Sequence, residues 1–209
     1  MNGDATEARQ MTCDFPDGTH DLPPGKLAAV VTWLEMTDRP APRDIRAPEG
    51  VELVAHPAPA PDWYRALYRR VGEDWLWVSR LSMGDAALAT ILHAPEVEVY
   101  SLRKGGEDLG LLELDFRDPD NTELAFFGLA PELIGTGAGR WLMEQALARV
   151  FARPVRRFFV HTCTLDSPQA LAFYIRSGFT PFKRSVEIMD DPRRAGAIAP
   201  HIAPHIPLL

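Results

Sequence analysis

Apolar and polar positions change period several times along the 209-residue chain, and each change marks an element. Leu27 to Met36 is apolar at most positions, the pattern of a buried strand. Three prolines between Pro40 and Pro48 exclude a continuous element there, so that stretch is a loop. Asp62 is positioned to cap a helix running through Arg70, with Trp63, Leu67 and Arg70 or Val71 at near-helical spacing, and Gly72 ends it. Residues 72–78 form an aromatic connector. Asp85 caps a second helix that runs to about His93 and stops before Pro95.

Three strand-like runs follow, Val97 to Arg103, Leu109 to Phe116 and Thr122 to Leu129, separated by short turn-rich gaps that predict an antiparallel meander. From Gly137 to Phe151 the apolar residues Leu142, Ala146, Leu147, Val150 and Phe151 share one helical face, and Pro154 closes the run. Arg157 to Thr164 then reads as a strand, Ser167 to Ser177 as a helix and Phe182 to Met189 as a last strand. The order is β-αα-βββ-α-β-α-β, an α/β domain at 26–189 between an N-terminal leader (1–25) and a Pro-rich C-terminal tail (190–209). In the tail, Ala199 to Pro207 contains a near-repeat whose prolines favour extended chain, either a strap or a disordered end.

Composition narrows the classes. The chain is 46% hydrophobic and 24% charged, ordinary globular usage. A net charge of -7 leaves no positive field to gather nucleic acid or anionic membrane, and neither is expected as a partner. No apolar stretch approaches the ~20 residues of a membrane helix. The start of the chain lacks the basic and apolar pattern of a signal peptide. Cys13 and Cys163 show no metal-type spacing, so the expectation is a cytoplasmic chain with two free thiols and no metal.

The chemistry centres on Ile134-Gly135-Thr136-Gly137-Ala138-Gly139, between a strand and a helix. Glycines there let backbone amides and the helix dipole approach a phosphate. A P-loop needs a Lys and a Ser/Thr after the last glycine, where this chain has Arg140-Trp141. A dinucleotide fingerprint needs a third glycine where Arg140 or Leu142 stands. With Gly137 and Gly139 retained, the loop resembles that of the GNAT superfamily of N-acetyltransferases, Arg/Gln-x-x-Gly-x-Gly/Ala, except that Ile134 replaces the Arg or Gln. Downstream, Ser167 to Phe179 resembles the superfamily's Asn-x-x-Ala-x-x-x-Tyr-x-x-x-Gly-Phe, with Ser167 at the Asn position.

The resemblance spans roughly Leu27 to Met189 and is motif-specific from Leu124 onward. It implies a mixed central sheet with helices on both faces, and acetyl-CoA or another acyl-CoA as co-substrate. Ile134, Gly135, Thr136, Gly137, Ala138, Gly139 and Arg140 would cradle its pyrophosphate, and Ser167 or Asp166 would take the Asn contact to its pantetheine arm. The strand before the loop would splay from its neighbour, giving Phe127, Gly128 and Leu129 as backbone partners, with Gly128 suited to a bulge. Tyr174 would protonate or hydrogen-bond the departing sulfur, unless it is a half-buried core aromatic. Glu123 is either the base that takes the amine proton or a solvated strand-end carboxylate. His161 would line the acceptor site. His161 and Cys163 alternate on one strand face, which also raises a Cys-His nucleophile oriented by Asp166.

The acceptor expected from these features is a small-molecule amine, cationic with an apolar portion, walled by Trp75 and Trp77 beside Glu73 and Asp74. The activity implied is acyl transfer to a primary amine by direct attack in a ternary complex. A degenerate module that binds CoA or a partner protein without turnover and a nucleotide-binding oxidoreductase are the alternatives, and a homodimer is left open.

Overall fold

The computed structural model describes residues 16–209; residues 1–15, with Cys13 and most of the expected leader, lie outside it. Seven strands form one mixed sheet in the order β2-β3-β4-β5-β6-β1-β7. They are β1 Lys26–Met36, β2 Val51–Ala55, β3 Val97–Lys104, β4 Glu107–Asp115, β5 Thr122–Leu129, β6 Phe158–Cys163 and β7 Thr180–Asp190. The helices are α1 Pro61–Gly72, α2 Asp85–Leu92, α3 Ala138–Val150 and α4 Ala170–Arg176. All neighbouring strands are antiparallel except β5 and β6.

Alternation along the strands divides the core. Tyr64, Leu67, Tyr68 and Val71 of α1, with Leu88 and Leu92 of α2, pack on Val97, Val99 and Leu111. On the opposite face Leu142, Met143, Ala146, Leu147 and Val150 of α3 and Tyr174 of α4 pack on Leu34, Leu112, Leu114, Leu124 and Val160. β4 is buried on both faces because helices cover it from both sides. This is an α/β domain with a mixed sheet between helices, the class expected from the order of elements.

The meander β3-β4-β5 and the strand-helix alternation after it match the expected order, but β2 was missed. Its five residues follow a proline-rich loop, too short a run for periodicity to register. β1 lies between β6 and β7, whereas β2 forms the far edge of the sheet, so the proline-rich loop must cross the molecule. It is held to α3 by Arg43, whose Nε is 2.6 Å from the Glu144 carboxylate, and to α4 by a bond from Arg43 to the Arg176 carbonyl.

The expected caps differ. α1 starts one residue before Asp62, with Pro61 in the first turn and Ala60 as N-cap, and α2 follows Gly84. Asp62 and Asp85 therefore sit inside the helices, where a carboxylate acts on the dipole rather than as a cap. The bulge is at Ala125, where the β4–β5 register shifts, and not at Gly128. Gly128 is required for packing: a Cβ there would lie 2.9 Å from Val71 and 3.1 Å from Trp77. After α1 the chain makes a 3-10 turn at Glu73–Trp75 and reverses at Leu76, which has φ 57°.

The tail folds as a run of turns, not as extended chain. Ile198 and Ala203 pack on Leu76, with Leu27, Val78, Ile202 and Ile206 around them. Arg193, fully buried, pairs with Asp191 at 2.7 Å and donates to the carbonyls of Ile202, Ala203 and Ile206, so the tail closes on one guanidinium. That pairing holds the Asp191 carboxyl below its usual range.

Gly72 supplies a test of the α1 packing, because a Cβ at that position would lie 2.3 Å from the Trp77 ring. Gly72→Ala should cost about 1–3 kcal/mol by overpacking. Gly84→Ala, at a position with nothing within 4 Å, should stay within about 0.5 kcal/mol of wild type. Urea denaturation of the two variants checks the difference.

Candidate active site

β5 and β6 pair only at Thr122–Phe158 and Glu123–Phe159, although β5 continues to Leu129 and β6 to Cys163. Beyond Glu123 the strands diverge, and a wedge opens between them. The Ala130 amide bonds to Leu109 on the β4 side. Because an antiparallel strand directs alternate residues toward its partner, Phe127 and Leu129 turn their amides and carbonyls into the wedge. Two of the expected backbone partners are therefore presented there, and Gly128 points toward β4.

The wedge leads to the glycine loop. Gly135 and Gly137 have φ of 79° and 90°, a conformation that strains any residue with a Cβ, and Gly137 is the N-cap of α3. Among the described residues, the amides of Gly135, Gly137, Gly139 and Arg140 have no backbone partner, so a set of donors lies at the positive end of a 13-residue helix. Arg140 is exposed and lines the same cavity. Gly139 lets the helix approach the strand, since a Cβ would lie 3.3 Å from Leu129. Thr136 and Ala138 do not line the cavity. The Thr136 hydroxyl donates to the Leu133 carbonyl at 2.8 Å and accepts from the Ala138 amide at 3.3 Å, closing the loop on itself. Ile134 is 55% exposed at the cavity's rim.

A cavity of ≈ 710 Å³ runs from Glu123 and His161 through the wedge to this loop, with Ser167 and Tyr174 along its wall. Tyr174 packs against Phe127, Phe173 and Phe179. Burial, with the Asp166 charge adding to it, pushes its phenol well above the usual range, which makes it a hydrogen-bond donor of weaker acidity than free tyrosine. The Ser167 hydroxyl accepts weakly from the Gln169 amide at 3.4 Å.

Asp166 is fully engaged, accepting from Trp77 Nε1, Thr162 Oγ1 and the Cys163 amide, each at 2.8 Å. Burial pushes the Cys163 thiol up to about 11, which leaves almost no thiolate at neutral pH. Both features weigh against the Cys-His nucleophile, since burial disfavours the thiolate and the supposed orienter is committed to Trp77, Thr162 and the Cys163 amide.

Glu123 and His161 face each other where the strands part, Oε1 to Nδ1 3.5 Å. The Glu123 carboxylate raises the His161 imidazole above its ordinary value against the opposing effect of burial. Trp33 packs beside His161, ring centroids 4.8 Å apart. Trp75 and Trp77 line the wedge cavity, whereas Glu73 and Asp74 do not.

Some residues here carried no sequence motif. Glu113 is fully buried, accepts from Tyr64 and pairs with Arg80, which fixes the α1–α2 connector against β4 and places Arg80 in the cavity wall. A carboxylate amid the apolar run Leu109 to Phe116 was the available signal. Trp33 and Phe159 gave none, since each reads as an ordinary strand aromatic. Among the described residues, no cluster of three or more metal-ligating side chains forms, and no helix is long and apolar enough to cross a membrane.

Residues 60–179 match the model of the Acetyltransferase (GNAT) family. No curated protein matches the chain. Similar folds occur in a GCN5-related N-acetyltransferase from Sphaerobacter thermophilus (TM-score 0.56, 14% identity, 78% of this chain and 52% of that one). Another is a putative GNAT-family acetyltransferase from Novosphingobium aromaticivorans (TM-score 0.54, 18% identity, 82% and 70%). A third is an aminoglycoside acetyltransferase, meta-AAC0020, from an uncultured soil metagenomic sample (TM-score 0.53, 15% identity, 66% and 93%). The chain spans about half the length of the Sphaerobacter protein. With the family model covering more than half of its length, and with a wedge and glycine loop in one mixed sheet, this chain belongs to the GNAT acetyltransferase family.

Proposed function

We propose that this chain transfers an acetyl or other short acyl group from acyl-CoA to a primary amine by direct attack in a ternary complex. The observation that carries the reading is the wedge itself, with unpaired amides at one end and the Glu123–His161 pair at the other.

The residues suit acyl-CoA. Amides of Gly135, Gly137, Gly139 and Arg140 offer a backbone cradle for pyrophosphate, with the Arg140 guanidinium beside it in place of the side chain that Ile134 lacks. Phe127 and Leu129 offer strand-like bonds to pantetheine amides. When bound, acyl-CoA supplies the thioester electrophile. The Glu123–His161 pair takes the proton of the attacking amine, His161 as neutral imidazole and Glu123 holding the imidazolium that results. A wedge amide holds the developing oxyanion. The C–N bond forms as the C–S bond breaks, and the Tyr174 phenol, made a weaker acid than free tyrosine by burial, donates a hydrogen bond to the departing thiolate, which takes up a proton from solvent.

A second reading, binding without turnover, is favoured by Ile134 and Ser167, which replace polar residues of the family's motifs. Tight CoA binding with no thiol release across a broad amine panel, an aminoglycoside included, would support that reading over catalysis.

Acetyl-CoA at 100 times its Kd should stabilise the fold by about 2.7 kcal/mol, read as a rise in melting temperature. No shift at millimolar acetyl-CoA would count against the cradle. The pH profile tests the base. His161 titrates above 6.5, so kcat/KM should rise with pH through a pKa above that value as the imidazole becomes neutral. Glu123→Gln removes the group that raises it, so the limb should move to lower pH while the rate falls by ~10²-fold. An unmoved limb would exclude the pair.

A further inference from the structure

The wedge accounts for one of two cavities at the reaction centre. The other, of ≈ 650 Å³, lies beside Glu123 over β6, β1 and β7, and shares Asp115, Arg117 and Glu123 with the first. α1 and α2 pack over β3, β4 and β5, which leaves this half of the sheet face to its own side chains.

Its floor is aromatic. Trp33 of β1 and Phe159 of β6 are stacked at 6.3 Å, and Phe182 of β7 continues the surface. A bond from Trp33 Nε1 to Ser185 Oγ at 3.0 Å fixes the indole plane. The charges around the floor are polarised. Asp118 and Glu123 lie at the β5 end, where Arg117 is neutralised by its ion pair with Asp115, and Arg157 and Lys183 lie toward β7.

The two cations toward β7 differ in availability. Arg157 is 2.9 Å from the Glu35 carboxylate and sits 4.2 Å over the Phe182 ring. Lys183 holds its ammonium 4.9 Å over the Trp33 ring and has no carboxylate partner among the described residues. With strands ~4.8 Å apart and ~3.3 Å per residue, the Lys183 ammonium above Trp33 is two strand spacings across and two residues along from the Glu123 backbone, roughly 12 Å. One aromatic ring with a substituent on each side bridges that distance.

Resting on the acyl-transfer reading, we propose that this second cavity is the acceptor subsite. It takes an aryl-bodied primary amine that carries a carboxylate on the opposite side of the ring. The ammonium is drawn to Glu123 and Asp118 and releases its first proton to solvent, which leaves the second for the Glu123–His161 pair at attack. The ring lies on Trp33 and Phe159, and the carboxylate reaches Lys183. The same polarity disfavours a polyamine, whose second cation would meet Lys183 and Arg157.

Three probes of equal ring size separate the terms: benzylamine, 4-(aminomethyl)benzoate and 1,4-bis(aminomethyl)benzene. Their binding to the CoA-saturated protein is followed by calorimetry, and turnover with acetyl-CoA by thiol release. The carboxylate probe should bind about tenfold tighter than benzylamine and the diamine weaker than either. In Lys183→Met the advantage of the carboxylate should collapse toward one, with an undiminished acetyl-CoA thermal shift reporting that the variant is folded. A carboxylate probe no tighter than benzylamine, or a preference that survives Lys183→Met, overturns the subsite. Binding in the expected order without thiol release leaves the subsite standing and removes the acyl-transfer reading. Thiol release from other amines without that order does the reverse.

Discussion

The constraint on which the site depends is the obligation of buried backbone groups to find partners. Five of the six neighbouring strand pairs are antiparallel, but β5 and β6 run parallel and share only two residue pairs before they part. What holds them apart is packing. Tyr174 and Phe173 press on Phe127 from the α3–α4 side, and Trp77 with Phe126 fills the α1 side. Polar groups exposed in such a wedge require water or a ligand with its own amides and carbonyls. A pantetheine arm has that character.

The two faces of the sheet divide the labour. On the α1 side, buried Glu113 ties Tyr64 and Arg80 together, so the connector carrying Trp75, Trp77 and Arg80 is fixed by one carboxylate. On the other side, α3 begins at the glycine loop and α4 brings Tyr174 to the wedge. Asp166, at the end of β6, joins the halves: its carboxylate holds Trp77 of the connector and the backbone at Cys163. Its negative charge also adds to the effect of burial in raising the Tyr174 phenol, so a residue with a structural role tunes the hydroxyl that faces the wedge.

Placing β1 between β6 and β7 has its own effect. It carries Trp33 next to His161 and builds an aromatic surface on a half of the sheet that α1 and α2 do not cover. The proline-rich loop that returns the chain to β2 is the consequence of that insertion, and Arg43 secures it to α3 and α4.

The sequence by itself determined most elements, because each depends on a local period. The meander, the helix after the glycine loop and the last strand follow from residues close together in the chain. It also indicated the loop glycines, Tyr174 and Ser167, whose spacing survives as a motif. It placed the bulge at Gly128 and caps at Asp62 and Asp85, where composition suggested a role that packing assigned differently. Only the tertiary structure decided that Glu123 meets His161, that Thr136 and Ala138 turn away from the cavity, that Cys163 is a half-buried thiol, and that Trp33 floors a second cavity. The reason is physical. Hydrophobic period fixes which face of a strand is buried, but strand order and register, which join residues distant in the chain, are set by how complete faces pack together.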